Sequence, residues 1–205
     1  MFKSLKSMYR NKGELGYIRY QKVINRTLTI ALFAVVAIIF VVGLLVNNMN
    51  SGNLFTIIAA LFVIPAAKFA VSCILFHPFQ PVEEAEYNRM KELCKGGSLF
   101  YTELALASTE RAYSLDYMVV TSDKIFGLAR RKKDNPLDIR NYLQDIVSRK
   151  GNDMTVVITD DTKKFENFLK SSTGPDDVKY ETSEDKEYFD EERARIVEAI
   201  EVVFI

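Results

Sequence analysis

Histidine occurs once in the 205 residues, cysteine twice and tryptophan not at all. Each scarcity removes a class of explanation. Cys73 lies in a hydrophobic run and Cys94 in an expected soluble helix, so the chain has neither a disulfide framework nor a thiol metal site, which fits a reducing compartment. A zinc centre built on imidazoles, or a Ser-His-Asp triad, would have to be built around His77. That residue stands at the exit of a hydrophobic run with no partner residues beside it, and reads most simply as an interfacial side chain. Gly-rich phosphate loops, CxxC, HExxH and GxSxG are all absent, which argues against nucleotide hydrolysis, zinc chemistry and serine hydrolysis. No internal repeat and no low-complexity tract breaks the chain, and no cofactor is expected.

Net charge is also lacking, with 27 basic and 27 acidic side chains, but the balance is a sum of opposites. Residues 1–27 hold seven Lys or Arg and one acid, Glu14, whereas residues 77–205 hold 19 basic and 26 acidic residues, a net of −7. The two parts have different surroundings to meet.

Between them lie two long apolar runs. Leu28–Val46 is 19 residues without a charge; at ~1.5 Å per residue it spans about 28 Å, close to the ~30 Å of a bilayer core. Leu54–Phe76 is a second span, interrupted by Pro65 and Lys68. Lys68 is off-centre, near enough to the end of the run for its stem to snorkel to the interface; the alternative is an intramembrane cation that faces a partner or a cavity. The short polar link 47–53 leaves room only for a hairpin turn. The excess of Lys and Arg before Leu28 places residues 1–27 in the cytoplasm, and two crossings return the rest to the same side. The expected organisation is a basic leader over 1–27, a transmembrane hairpin over 28–76 (spans 28–46 and 54–76), a connector over 77–82 and a cytoplasmic α/β domain over 83–205.

The connector is extended because Pro78 and Pro81 disfavour helix in the residues before them. Periodicity then predicts a helix over about 82–95, closed by Gly96-Gly97. Strands follow at Leu99–Ala107, Ser114–Thr121 and Ile125–Ala129, the last two joined by a Ser122-Asp123-Lys124 turn. A helix runs from Leu137 to Lys150. Met154–Thr159 is continuously apolar, the pattern of a strand buried on both faces. A short helix over 161–171 and a final one from about Glu184 complete the chain. Helices alternating with strands in this way predict a central mixed sheet covered by helices.

The order helix, three strands, helix, strand is that of the PD-(D/E)XK nuclease core, the restriction-endonuclease-like topology. Within it, the stretch from Leu115-Asp116 through Ser122-Asp123-Lys124 to Ala129-Arg130-Arg131 resembles the centre of the nuclease-related (NERD) domain, and Asn135-Pro136 leading into a helix fits the same layout. The resemblance covers about residues 83–170. It implies a divalent cation held by carboxylates on adjacent strands, with a lysine that helps to activate water. Asp116 matches the first acid. Ala129 stands at the second acid, Arg131 at the lysine and Ile139 at a helix glutamine. A lone carboxylate holds Mg²⁺ poorly and a guanidinium cannot deprotonate, so the resemblance implies a degenerate copy in which Asp116 and Arg131 are remnants.

The expected role is therefore a binding or scaffolding module tethered to the lipid bilayer, with a membrane or cytoplasmic protein as partner. Arg130, Arg131, Lys132 and Lys133 form a candidate patch for an anionic partner, although the domain's acidity opposes broad nucleic-acid binding. One alternative is a tethered nuclease whose second acid has migrated to Glu103 or Asp123; another is an accessory subunit of a transporter or envelope complex, suggested by Lys68 and Pro65. The basic leader has two destinations, the lipid surface and the acid-rich start of the last helix (Glu184, Asp185, Glu187, Asp190, Glu191, Glu192).

Overall fold

The computed structural model describes residues 10–50, 52–108, 111–150, 154–178 and 183–205, without the side chains of 183–186 and 188. They fall into two units, one formed by residues 18–78 and the other by residues 10–17 together with 79–205. The second unit thus takes in a segment from far upstream of the connector.

In the first unit, α1 (Tyr17–Val46) and α2 (Leu54–Phe76) are both long and apolar enough to cross a membrane. Helix α1 begins well before the apolar run, because Tyr17, Ile18, Tyr20 and Val23 continue a helical pattern through the basic residues. The turn between the helices is held by Asn53. Its side chain caps α2 by accepting from the Thr56 amide at 3.0 Å and donates to the Gly43 and Asn50 carbonyls at 3.2 and 2.6 Å. Asn48 and Met49 take up the left-handed conformations of the reversal. At the other end, Lys22 Nζ donates to the His77 carbonyl at 3.1 Å, and the His77 amide closes the last turn of α2. Pro65 lies inside α2 and removes one backbone donor there.

The second unit is a four-stranded mixed sheet with helices on both faces. Its elements are α3 (Glu84–Leu93), β1 (Leu99–Ala107), β2 (Ala112–Val120), β3 (Lys124–Leu128), α4 (Pro136–Arg149), β4 (Thr155–Thr159), α5 (Thr162–Ser171), a 3₁₀ turn (Pro175–Asp177) and α6 (Ser183–Glu201). The strands lie in the order β1-β2-β3-β4, antiparallel except for β3 and β4, which are parallel and joined through α4. One face packs Leu115, Met118, Ile125 and Ala129 against Ile139, Leu143 and Val147 of α4 and Ile196 and Ile200 of α6. The other packs Tyr117, Val119, Phe126 and Leu128 against Met90 of α3 and Phe165 and Leu169 of α5. Both helix pairs bury one apolar stripe each, as amphipathic helices on a sheet must.

β4 differs from its expectation. Its apolar run predicts burial on both faces, yet it is an edge strand with only Val156 fully buried. Its free edge is covered by a side chain: Gln144 of α4 donates to the Met154 carbonyl at 3.1 Å and accepts from the Val156 amide at 2.9 Å. The edge of β1 is covered by chain. The Thr102 amide donates to the Gly13 carbonyl at 2.9 Å, the Ile205 amide to the Ala105 carbonyl at 2.8 Å, and the Ala107 amide to the Val203 carbonyl at 2.8 Å. Lys12 and Tyr17 donate to the carbonyl oxygens of Phe204 and Ile205 at 2.7 and 2.6 Å. Both edges are thus denied to further strands. This use of residues 10–17 was not among the destinations read from sequence. Residues 1–9 of the leader, and the side chains of Glu184 and Asp185, lie outside the described residues.

The side-chain alternation breaks in the middle of β1 and β2 together. Tyr113 and Leu115 face one side, but so do Met118 and Val120, while Tyr117 and Val119 face the other. Pairing runs from Thr102↔Tyr117 to Leu104↔Leu115, and no pair forms between Glu103 and Asp116. Glu103 holds a φ of +54°, a left-handed conformation that is costly for a side chain with a Cβ. The Thr102 hydroxyl instead donates to the Asp116 carbonyl at 2.9 Å. Because both strands slip together, the register is kept and the two acids are moved out of the regular pleat.

Candidate functional site

Asp116 is delivered by this break to the end of the sheet where β3 runs into the basic loop. There its Oδ2 accepts from Arg130 Nε at 2.7 Å and from the Arg130 amide at 3.3 Å. The other arm of the same guanidinium donates to both carboxylate oxygens of Glu86 on α3, at 2.8 and 3.1 Å. A planar fork that serves two carboxylates from different elements is the geometry to which arginine is suited. The acids are well covered, with side chains 13% and 20% exposed. Burial opposes the charge on Arg130, but the hydrogen bonds and charges of Asp116 and Glu86 more than offset it and push its pKa up. Beside this group, Arg89 of α3 pairs with Glu166 of α5 at 2.6 Å.

Tyr117 lies behind the charges, stacked on Phe165 and tilted against Phe100. Its hydroxyl is buried and has no hydrogen-bond partner among the described residues. Desolvation, reinforced by Glu86 and opposed by Arg130, pushes its pKa well up.

Arg131 has a separate set of partners. It forms a bidentate pair with Asp134, at 2.7 and 2.6 Å, donates to the Ala112 carbonyl at 2.8 Å, and stacks its guanidinium over the buried Phe79 ring at 5.0 Å. The Asp134 carboxylate is fully covered and also accepts from the Ser114 amide at 3.0 Å. Arg131 therefore fastens the connector and the loop to β2, with partners different from those of Asp116. Of the four cations of the candidate patch, Arg130 and Arg131 are engaged internally, while Lys132 and Lys133 are exposed.

The positions that would complete a metal centre are apolar and buried. Ala129 is 1% exposed and Ile139 0%, both inside the cluster that packs on α4 and α6. Glu103 faces Asp116 across the strand pair, but its side chain is buried and its Oε1 accepts from the Val82 amide at 2.9 Å. Asp123 lies in the β2–β3 turn, at the opposite end of β3 from Asp116 and its partners. Among the described residues, no group of three or more His, Cys, Asp or Glu side chains is placed to hold a metal ion. Asp116 Oδ2 and both carboxylate oxygens of Glu86 already face a guanidinium. The residues present do not fit the divalent metal that the nuclease resemblance implies.

Glu86 and Asp134 were not singled out in the sequence. Glu86 sits among Glu83, Glu84 and Glu92 on an acidic helix, and only a model of which helix face meets the sheet would have selected it. Lys68 is exposed on α2. No family model matches the chain, and neither the curated proteins nor the solved structures contain a match.

Proposed function

We propose that the chain is a two-pass membrane protein that presents its α/β domain on the cytoplasmic side as a non-catalytic module with restriction-endonuclease-like topology, binding or scaffolding a membrane or cytoplasmic protein. The observation that carries the non-catalytic reading is the closure of Asp116 and Glu86 around Arg130, with Ala129 sealed in the core beside them. The strand order, the parallel β3–β4 pair and the α4 crossover support the topology. Two long apolar helices and the basic excess before Leu28 support the anchor and its orientation.

The nuclease alternative has its best case in Glu103, which stands across from Asp116, but burial and the bond to Val82 keep that carboxylate from a shared ion. The discriminating experiment incubates the purified full chain with DNA and RNA in Mg²⁺ or Mn²⁺. No cleavage is expected. Cleavage that disappears in Asp116→Ala would overturn the module reading in favour of a tethered nuclease.

A further inference from the structure

We infer that the outward side of α2 is a docking surface for a transmembrane helix of another protein, one that carries an Asp or Glu near the middle of the bilayer and sets it against Lys68. The inference rests on the two-pass reading and deepens it by giving the partner's chemistry. Lys68 stands three residues beyond the centre of Leu54–Phe76, so at ~1.5 Å per residue its Cα lies about 4–5 Å from the midplane and about 12 Å short of Phe76. A charge at that depth is costly unless it reaches the interface or meets a counter-charge. The direction of the helix opposes the first. Side chains leave an α-helix tilted towards its N-terminus, which for α2 is the far end, Leu54. The nearer interface, at Phe76, lies in the opposite direction. The lysine stem therefore carries its ammonium towards the midplane.

The hairpin has no counter-charge to offer: no Asp or Glu occurs between Glu14 and Glu83. The helical repeat puts Leu61, Ile64, Val71 and Ser72 on the side of Lys68, where Leu61, Ile64 and Val71 are 62%, 69% and 64% exposed. Ala59 and Ala66, on the opposite side, are covered. The Ser72 hydroxyl donates to the carbonyl of Lys68 at 3.1 Å. Pro65, beside Lys68 on the same side, has no N–H to give to the Leu61 carbonyl, so a backbone acceptor is left open there as well. An ammonium and a freed carbonyl on one side turned to lipid require a polar neighbour. Charge selects which neighbour. A second copy of this chain would bring another lysine and no acid, whereas a carboxylate at matching depth pairs with Lys68 and spares both helices an isolated charge.

The test places the purified full chain in phosphatidylcholine vesicles with a fluorescent probe helix, a Leu/Ala transmembrane peptide bearing a single Asp at its centre, and reads energy transfer between the two. The Asp peptide should bind the wild-type chain about tenfold or more tightly than the all-apolar parent peptide. K68M, which removes a charge from an apolar helix and so favours insertion, should bring the two peptides level. Equal binding of both peptides by the wild type, or a preference for Asp that survives in K68M, overturns the inference. So does self-association of the wild-type chain, measured without peptide, that K68M abolishes, because it gives this side of α2 to a second copy. The underlying reading fails separately. A wild-type chain that alkaline carbonate strips from the vesicles defeats the two-pass anchor and the inference together, whereas a chain that stays inserted and ignores the Asp defeats the inference alone.

Discussion

Replacing Gly13 by alanine isolates the contribution of residues 10–17 to the folded domain. Gly13 has a φ of +82°, and a Cβ there would lie 2.7 Å from Cδ1 of Tyr101. The tyrosine ring has little room to yield, because its hydroxyl donates to Glu201 at 3.0 Å and its edge packs on Phe204. The left-handed backbone costs an L-residue about 1–2 kcal/mol, and overpacking against a held ring adds roughly 1–3 kcal/mol. The Gly13 carbonyl also accepts from Thr102, a residue 1% exposed, and weakening that bond costs about 1 kcal/mol. The expected total is about 3–6 kcal/mol. Gly16 is the internal control: its φ is +88°, but its nearest neighbour to a new Cβ is 3.9 Å away, so Gly16→Ala bears the backbone cost alone. Hydrogen exchange of the β1 amides reads the difference directly. The overpacking and the weakened bond, about 2–4 kcal/mol together, are what separate the variants, so at about 1.4 kcal/mol per factor of ten Thr102 should exchange roughly 30–700-fold faster in Gly13→Ala than in Gly16→Ala. Equal exchange in the two variants would refute the claim that residues 10–17 are part of the domain.

Three further outcomes follow from the same structure. Asp134→Ala leaves Arg131 unpaired against a covered site and should cost about 3–5 kcal/mol in urea unfolding monitored by circular dichroism, whereas Asp145→Ala, whose partner Arg149 is 77% exposed, should cost less than about 1 kcal/mol. Burial, and then Glu86, raise the Tyr117 pKa, so the unfolded chain gives up this proton first as pH rises past ~10. The stability that comes from keeping it is whole below that pH and is lost as the pH climbs towards the folded value; Tyr117→Phe should therefore unfold at higher pH than wild type, and an unchanged alkaline midpoint would contradict the assignment. Burial also pushes the Cys94 thiol up, so at neutral pH it should react with iodoacetamide more slowly than a thiol in the urea-unfolded chain, and equal rates would show the site to be open.

The parts of this molecule legible in the sequence are those set by periodicity and composition over long windows. The two apolar helices, the β1–β3 runs and the helical faces of α4, α5 and α6 come from hydrophobic spacing, and tertiary packing agrees with it except at Leu137 of α4 and Phe189 of α6, which are exposed. What escaped depends on contacts between distant residues. The alternation break at Glu103 and Asp116 is invisible because strands slipped together keep their apolar composition. The half-exposed position of β4 escaped because an apolar run looks alike in the centre of a sheet and at an edge sealed by Gln144. The charges were the least legible. Arg130 to Lys133 read as one basic patch, but Asp116, Glu86 and Asp134 divide it into two internal clamps and two exposed lysines. Similarly, Asp116 and Arg131 suggested a shared remnant, and the chain gives each its own partner.

The central proposal is that α1 and α2, each long and apolar enough to cross a membrane, form a hairpin that leaves the α/β domain and residues 10–17 on one side. Residues 10–17 and 79–205 belong to one folded unit, which agrees with an even number of crossings between them. Reporter fusions after residue 50 and after residue 205 of the full chain, expressed in intact cells, test it most directly. The account predicts opposite sides, with residue 50 outside and residue 205 in the cytoplasm; the same side for both would contradict it.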